Sequence, residues 1–382
     1  MPLNCEKVKL GDVVSFQTGK LNSNAAMPDG EYPFFTCSPQ TLRTNTYAFD
    51  TECVLLAGNN ASGVYSIKYF VGKFDVYQRT YVIRALDDKR LSNRYLYYTL
   101  QLKLELFKNL SSGVTTKFLT LVILNQISLE LPPLPTQRKI SAILSAYDDL
   151  IENNLRRIKI LEEMAQNLYI EWFVKFRFPG HEKVKMVDST LGRIPEGWEV
   201  AEFRNLFEIK YGKTLPKTEF AEVGPYPVYG AGDVIGYYDK VLCQEKCALV
   251  TSRGNGSGTV WRTREAAFVT NNSLIILPKV EFKHWDYSFV ELLLKHSNVM
   301  EAKTGSAQPQ VTIENLNYVK AIVPERPYVE EFCSFVTPIS EQVDVYLSEN
   351  TNLRRTRDLL LTKLISGELD VSALDIKTGN DE

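Results

Sequence analysis

The chain has 382 residues, 44% of them hydrophobic and 24% charged, with a formal net charge of −2. That length favours two or three folding units, each able to bury an ordinary core. No apolar run approaches the ~20 residues that cross a bilayer, and residues 1–20 lack a basic segment followed by an apolar core, so a soluble, cytoplasmic protein with no membrane partner is expected.

Charge is spread unevenly along the chain. Residues 1–131 carry +3 (14 basic, 11 acidic), 132–185 carry +2 (9 and 7), 186–323 carry −1 (15 and 16) and 324–382 carry −6 (6 and 12). The overall balance therefore neither supports nor excludes DNA binding, because phosphates are neutralised by a local patch. The six cysteines, Cys5, Cys37, Cys53, Cys243, Cys247 and Cys333, are scattered, which argues for reduced thiols. Cys243 and Cys247 form a lone C-x3-C, and the three histidines supply no second ligand pair, so no metal is expected.

Residues 1–135 read as a first globular domain. Short β-rich runs at 53–56 and 81–85 alternate with Gly/Asn/Ser loops, and a local helix fits 93–107. The domain closes on the alternating Ile127, Leu129 and Leu131, a strand that ends at Pro132. Residues 136–175 then form a helical region, since no Pro or Gly interrupts 137–173. Ile140, Leu144, Tyr147, Ile151, Asn154, Ile158, Leu161, Ala165, Leu168 and Trp172 alternate steps of four and three, a heptad seam about 55 Å long at roughly 1.5 Å per residue. Residues 176–200, punctuated by Phe178-Pro-Gly180 and Gly192-Arg-Ile-Pro-Glu-Gly-Trp198, read as a linker.

A second domain at 201–325 has β-rich runs at 248–251 and 273–277 and a helix at 287–300. Residues 326–370 form a second helical region with the same spacing: Phe332, Val336, Ile339, Val343, Tyr346, Asn350, Leu353, Arg357, Leu360 and Leu364. Residues 371–382 are an acidic tail. A helix as long as the first must bury a face, and the second seam is its expected partner; the blander alternative is that each helix packs on its own globular neighbour. Asn154 and Asn350 are candidates for register-setting contacts. Pro338 removes a donor and crowds the preceding turn, so a kink is expected there, or a fresh start with Thr337 as N-cap.

The two halves repeat one plan. Residues 113–132 lie without gaps over 305–324, with Gly, Thr, Leu-Asn and Pro coinciding and Ile127, Leu129 and Leu131 facing Val319, Ala321 and Val323. Gly19-Lys20 matches Gly212-Lys213, Tyr32-Pro33 matches Tyr226-Pro227, Ser62-Gly63 matches Ser257-Gly258, and Asn154-Leu-Arg-Arg157 answers Asn352-Leu-Arg-Arg355. The fold class is α+β: two tandem mixed domains, each followed by a long helix.

No catalytic centre is legible. Gly254-Asn-Gly-Ser-Gly258 misses the dinucleotide-binding spacing at Thr259 and runs into strand-like sequence at 259–269; Gly212-Lys213-Thr214 resembles the end of a P-loop, but Phe207 stands where the first glycine is needed. The sole Pro-Pro, Leu131-Pro132-Pro133-Leu134, lacks the Asn or Asp of an amino-methyltransferase, and no His/Ser/Asp spacing stands out.

Leu131-Pro-Pro-Leu-Pro-Thr-Gln-Arg-Lys-Ile140, with Ile143-Leu, Asp148-Asp-Leu-Ile-Glu-Asn-Asn154 and 161–172, resembles the first helical region of specificity subunits of Type I restriction-modification systems. Met186-Val-Asp-Ser-Thr-Leu-Gly-Arg-Ile-Pro-Glu-Gly-Trp198 is similar to that family's lead-in to its second recognition domain, and Leu359-Leu-Leu-Thr-Lys-Leu-Ile-Ser-Gly-Glu-Leu369 to its second helical region. The first copy lacks the Ile-Pro-x-Gly-Trp lead-in. The resemblance implies two target-recognition domains, each reading half of a split, asymmetric DNA site. It implies an antiparallel coiled coil that spaces them and docks two methyltransferase subunits. It places no cofactor in this chain, assigning S-adenosylmethionine to the methyltransferase and ATP with Mg to separate restriction (motor-nuclease) subunits.

Polar and basic residues that punctuate strands are the candidate readers of base edges and phosphates. They are Lys20, Asn59, Asn60, Ser62, Gln78, Arg79 and Lys117 in the first copy, and Lys213, Arg253, Asn255, Ser257, Asn271, Asn272, Gln308 and Gln310 in the second. The seam candidates are Ile140, Leu144, Ile151, Asn154, Ile158, Leu161, Leu168, Trp172, Val343, Asn350, Leu353, Leu360 and Leu364. One rival is a repeat scaffold that binds proteins only, which salt-dependent, sequence-selective DNA binding would exclude. The other is a stand-alone methyltransferase or nuclease, which would act without partners.

Overall fold

The computed structural model describes residues 5–113, 115–254, 256–305 and 309–378. The chain divides into two compact units, Met1–Asn153 with Asn350–Glu382, and Asn154–Glu349. The division therefore runs across both long helices, Leu134–Tyr169 and Arg326–Ile365, where the sequence pattern sets domain edges at their ends. Each unit contains one globular domain and a stretch of each helix.

In the first unit a six-stranded sheet has the order Val14–Thr18, Thr80–Ala85, Phe49–Ala57, Ile67–Val76, Tyr32–Phe35, Thr41–Thr44. All neighbours are antiparallel except Tyr32–Phe35, which runs parallel to Ile67–Val76. The unbroken apolar run in the central strand follows from burial on both faces. Val54, Leu56 and Ile83 face the helix Asn93–Leu102, packing on Tyr95, Leu96 and Tyr98, while Cys53, Leu55 and Val82 face Phe35, Phe74 and Val76. Ser92 caps that helix by accepting from the Tyr95 amide. The strand Glu6–Lys9 pairs with Ser128–Leu131, which puts Leu129 and Leu131 into the core.

The second unit repeats this local logic. Phe207–Tyr211, Ser273–Pro278, Ala248–Thr251 and Val260–Arg262 form a four-stranded sheet, and Val234–Tyr238, Tyr226–Tyr229 and Phe268–Val269 a three-stranded one. Ala248, Val250, Leu274 and Ile276 face the helix Tyr287–His296, capped by Asp286, while Leu249 and Ile275 face Tyr229 and Val269. Glu199–Glu202 pairs with Lys320–Val323 as Glu6–Lys9 does with Ser128–Leu131. Thr120 and Thr312 cap the short helices Leu121–Asn125 and Ile313–Asn317, so the aligned Thr and Leu-Asn of the repeat are a capping signal.

The long helices pair antiparallel, as an antiparallel coiled coil. Within the first unit Ile140 and Leu144 share a core with Leu361 and Leu364, and Arg357 bonds Asp148 at 2.6 Å. Within the second, Asn154 donates to Glu349 at 3.3 Å, Arg157 to the Tyr346 hydroxyl at 3.1 Å, and the Trp172 and Phe332 rings lie 5.8 Å apart. Moving toward the C-terminus of one helix thus moves toward the N-terminus of the other. Ile151, Ile158, Trp172, Val343, Asn350 and Leu364 are buried; Leu161, Leu168, Leu353 and Leu360 are half-buried. The helices also enter the globular cores, since Tyr169 and Phe332 pack on Phe289, so both packing expectations describe part of the surface.

Several elements differ from expectation. The second long helix is continuous, with Pro338 inside it, because flanking Phe332 and Val336 are anchored in the core. The Thr337 hydroxyl lies 3.3 Å from that of Ser288 instead of beginning a new helix. The first long helix starts earlier, at Leu134 with Pro135 in its first turn, and ends in a π-helical turn, Ile170–Val174. The region at 176–200 is more than a linker: Phe178 and Trp198 are buried and stacked at 5.0 Å, and Met186–Ser189 pairs with Gly192–Pro195. The expected helix at 93–107 breaks at Lys103 into Asn93–Leu102 and Leu104–Leu110, and the one expected at 287–300 stops at His296, followed by the 3-10 turn Val299–Ala302.

Candidate nucleic-acid interface

The first-copy candidates gather at one edge of the six-stranded sheet, where Val14–Thr18 and Phe49–Ala57 end and Thr80–Ala85 begins. Lys20 is exposed beyond the first strand, and its neighbour Leu21 bridges Tyr77. Gln78 follows; its side-chain amide donates to Asn22 Oδ1 at 2.8 Å. Asn59–Asn60 pairs antiparallel with Lys117–Phe118. Asn60 Oδ1 accepts from both the amide (2.8 Å) and hydroxyl (2.7 Å) of Ser62, which fixes the loop at 60–62. The Arg79 guanidinium lies 5.5 Å from the Phe118 ring centroid, a cation–π contact that limits its rotamers while leaving it exposed.

In the second copy the candidates occupy the matching edge. Lys213 is exposed after Phe207–Tyr211 and bridges Thr270. Arg253 follows Ala248–Thr251 and bridges Gln310, and Asn271 and Asn272 form the turn before Ser273–Pro278. Asn255 and Gln308 lie outside the described residues. Ser257 departs from the group, because it is only 1% exposed. Gly258, at φ +89°, turns the chain there and packs near Met300 and Val311, so the Ser257 hydroxyl belongs to the loop interior and not to a reading surface.

One backbone scheme holds both edges. In the first copy the Gly58 amide donates to the Arg79 carbonyl at 2.8 Å, and the Leu119 amide to the Gly58 carbonyl at 2.9 Å. In the second, the Ser252 amide donates to the Asn272 carbonyl at 2.8 Å, and the Val311 amide to the Ser252 carbonyl at 2.8 Å. The scaffold is the same, whereas the side chains it presents differ: Asn59, Asn60 and Arg79 in one, Arg253 and Asn272 in the other. Among the described residues, no ion pair engages Lys20, Arg79, Lys117, Lys213 or Arg253. These cations are available to phosphates or guanine edges, and the amides to adenine.

The structure adds residues that sequence reasoning missed. The Cys37 thiol donates to Asn59 Oδ1 at 2.9 Å and faces the Arg79 carbonyl at 3.4 Å, tying the turn after Tyr32–Phe35 to the edge. Lys68 donates to the Ser38 carbonyl (3.4 Å) and the Thr41 hydroxyl (3.1 Å), and burial lowers its pKa below the ordinary 10.5. Its place in the strand Ile67–Val76 was the signal for a structural lysine. Cys37 carried none. Among the described residues no three His, Cys, Asp or Glu side chains cluster as a metal site.

Two stretches of the chain, residues 2–163 and 195–341, match the family model described as the Type I restriction modification DNA specificity domain. The Type I restriction enzyme MjaIX specificity subunit of Methanocaldococcus jannaschii is 28% identical over 311 residues, covering 74% of this chain and 70% of that protein. The EcoDI specificity subunit of Escherichia coli is 35% identical over 166 residues, 44% of this chain but only 36% of that protein. The crystal structure of a Type I restriction-modification system S subunit from M. genitalium shares the fold, with a TM-score of 0.68 at 20% identity over 95% of this chain and 96% of that one.

Proposed function

The chain belongs to the Type I restriction-modification DNA specificity family, and on that premise we propose that each globular domain reads one half of a bipartite, asymmetric DNA site. The observation that carries this reading is the pair of equivalent edges, held by one hydrogen-bond scheme but displaying different side chains. Equal frames with unequal readers suit a ligand of two unlike halves. Phosphate contacts from Lys20, Arg79, Lys213 and Arg253 orient each domain, and amides such as Asn59 and Asn272 discriminate bases. The paired long helices set the spacing of the half-sites and dock two methyltransferase subunits. Those subunits carry S-adenosylmethionine, and separate restriction subunits use ATP and Mg, so this chain contributes recognition and no catalytic group.

Domain exchange tests the reading. Replacing residues 1–131 by the equivalent segment of a relative, in cells that supply the methyltransferase, should alter one half of the methylated sequence and leave the other as it was. Methylome sequencing in which both halves change together would defeat the two-reader proposal. Methyl transfer by the purified chain without a partner would defeat its non-catalytic role.

A further inference from the structure

The loop at 60–63 in the first domain is flanked by two lysines that come from different elements. A Cβ placed on Gly63 would lie 3.3 Å from Cγ of Lys108 and 3.5 Å from Cγ of Lys117, so both side-chain stems run past this glycine. Its φ of +74° turns the chain between them. Lys117 belongs to the short strand that pairs with Asn59–Asn60. Lys108 stands in the last turn of the helix Leu104–Leu110, away from the strand ends where readers were sought in the sequence. The Ser111 hydroxyl donates to the Lys108 carbonyl at 2.8 Å and closes that turn. Among the described residues the Lys108 ammonium has one carboxylate partner, Glu105 at 3.6 Å, and the two side chains are 44% and 81% exposed. An ion pair so exposed is weak and gives way readily to a phosphate. Arg79, resting on the ring of Phe118, adds a cation next along the strand from Lys117.

The second domain has neither lysine at the matching positions. The shared backbone scheme sets Leu119 against Val311, and therefore Lys117 against Pro309. Lys108 and Met300 each stand 11 residues before those anchors, and each lies against the loop glycine, the Met300 sulfur being 2.7 Å from a Cβ placed on Gly258. Met300 is 59% exposed, so the position faces solvent in both domains and is charged in one. We propose that Lys108 is a DNA-phosphate contact that, together with Lys117, clamps the backbone at the Gly63 loop, a grip the second domain does not have. The inference rests on the two-reader function above and deepens it. Stems that share one glycine bring both ammonium groups within reach of a single phosphate, and lysine binds phosphate as a point charge that needs no fixed angle of approach. Lys108 thus positions the first domain on its half-site and carries no base preference of its own.

The test uses the full chain assembled with its methyltransferase and a labelled duplex carrying the recognised site. Lys108→Ala should make the slope of log affinity against log salt shallower by about 0.9, so that the affinity lost between about 50 and 200 mM salt is about 3–4-fold smaller. Base preference at both half-sites should stay as in the wild type. Lys108→Gln, which keeps the stem against Gly63, should give the same change, whereas Glu105→Ala, which removes the intrahelical pair and leaves the cation, should not make the slope shallower. Neutral methylphosphonates substituted one at a time should reveal a phosphate at which the wild type loses affinity and Lys108→Ala loses none. That phosphate should lie in the half-site that exchange of residues 1–131 alters. A wild-type slope in both Lys108 variants, an equally shallow slope in Glu105→Ala, an altered base preference, or no such phosphate would overturn the assignment. Any of these, with domain exchange still altering one half-site alone, leaves the two-reader function standing; exchange that fails to alter one half alone defeats that function itself.

Discussion

Arg262 offers the sharpest test of what fixes the second domain to the long helix within its own unit. Its Nε donates to Glu291 at 2.8 Å, its Nη1 to Asp344 at 2.6 Å and its Nη2 to the Ser340 carbonyl at 3.3 Å, and its side chain is 10% exposed. Removing one partner of a buried pair costs about 3–5 kcal/mol when the other charge is stranded. Here each carboxylate keeps a second cation, Lys295 at 2.7 Å for Glu291 and Lys246 at 2.8 Å for Asp344. Arg262→Met should therefore destabilise by less, about 2–3 kcal/mol. All four tryptophans, Trp172, Trp198, Trp261 and Trp285, lie in this unit, so tryptophan fluorescence during urea unfolding isolates it. With a slope of about 2–3 kcal/mol per molar the midpoint should fall by about 1 M at unchanged slope. Adding Asp344→Asn to the Met variant should cost less than it does in the wild type, by about 1 kcal/mol or more. A midpoint shift worth under about 0.5 kcal/mol, or strict additivity, would refute the claim that this network carries the junction.

Two further outcomes follow from the same structure. His296 stacks on Tyr169 with centroids 5.0 Å apart, and burial lowers its pKa from the ordinary 6.5; the folded state then binds this proton less readily than the unfolded chain. The His296 contribution should be full above pH 6.5, decline as pH falls from there to the folded pKa, and level off below it, and His296→Gln should remove that part of the decline in urea titrations at pH 7.5 and 5.5; His284, which burial shifts the same way, contributes in the same sense. In the assembled methyltransferase complex, Arg79→Ala or Arg253→Ala should each reduce the slope of log affinity against log salt by about 0.9, the value for one phosphate that is no longer neutralised; anisotropy series that keep the wild-type slope would remove that residue from the phosphate-binding set.

Sequence reveals the repeat, the two seams and the polar punctuation because each is local or periodic. The heptads predict Ile140, Ile151, Trp172 and Val343 as buried, and the polar and basic punctuation after Thr18 and Thr251 places Lys20 and Arg253 at loops. What stays hidden depends on neighbours distant in the chain. Nothing near Pro338 says that Phe332 and Val336 are held tightly enough by Phe173 and Phe289 to carry a helix through it. The aromatic residues of 176–200 read as punctuation until Phe178, Trp198 and Tyr328 are seen in one cluster. Ser257 reads as a loop reader when exposure is inferred from glycine neighbours, and those glycines instead fold the loop inward. Cys37 has no pattern at all, since its role comes from a partner 22 residues away.

The repeated Gly-Lys pair shows how a matched dipeptide becomes a functional constraint. A Cβ placed on Gly19 would overlap the Val76 carbonyl oxygen, and one on Gly212 the carbonyls of Thr270 and Val269. Both glycines are buried at the point where the first sheet strand of each domain leaves its neighbour, so the residue type follows from close backbone approach and not from an unusual dihedral. Gly19→Ala must push the strand end away from the turn at 76–79, which carries Gln78 and Arg79, at a cost of about 1–3 kcal/mol for an overpacked site. The consequence for recognition is confined to one domain, because Gly212, Lys213 and Arg253 keep their own frame. Selection of preferred sites from a randomised DNA library should show Gly19→Ala degrading one half-site while the other remains as sharp as wild type, and Gly212→Ala doing the reverse. A Gly19→Ala complex that keeps both its stability and its full half-site preference would mean that the edge is not held by this close approach, and the shared backbone scheme would lose its standing as the frame of the readers.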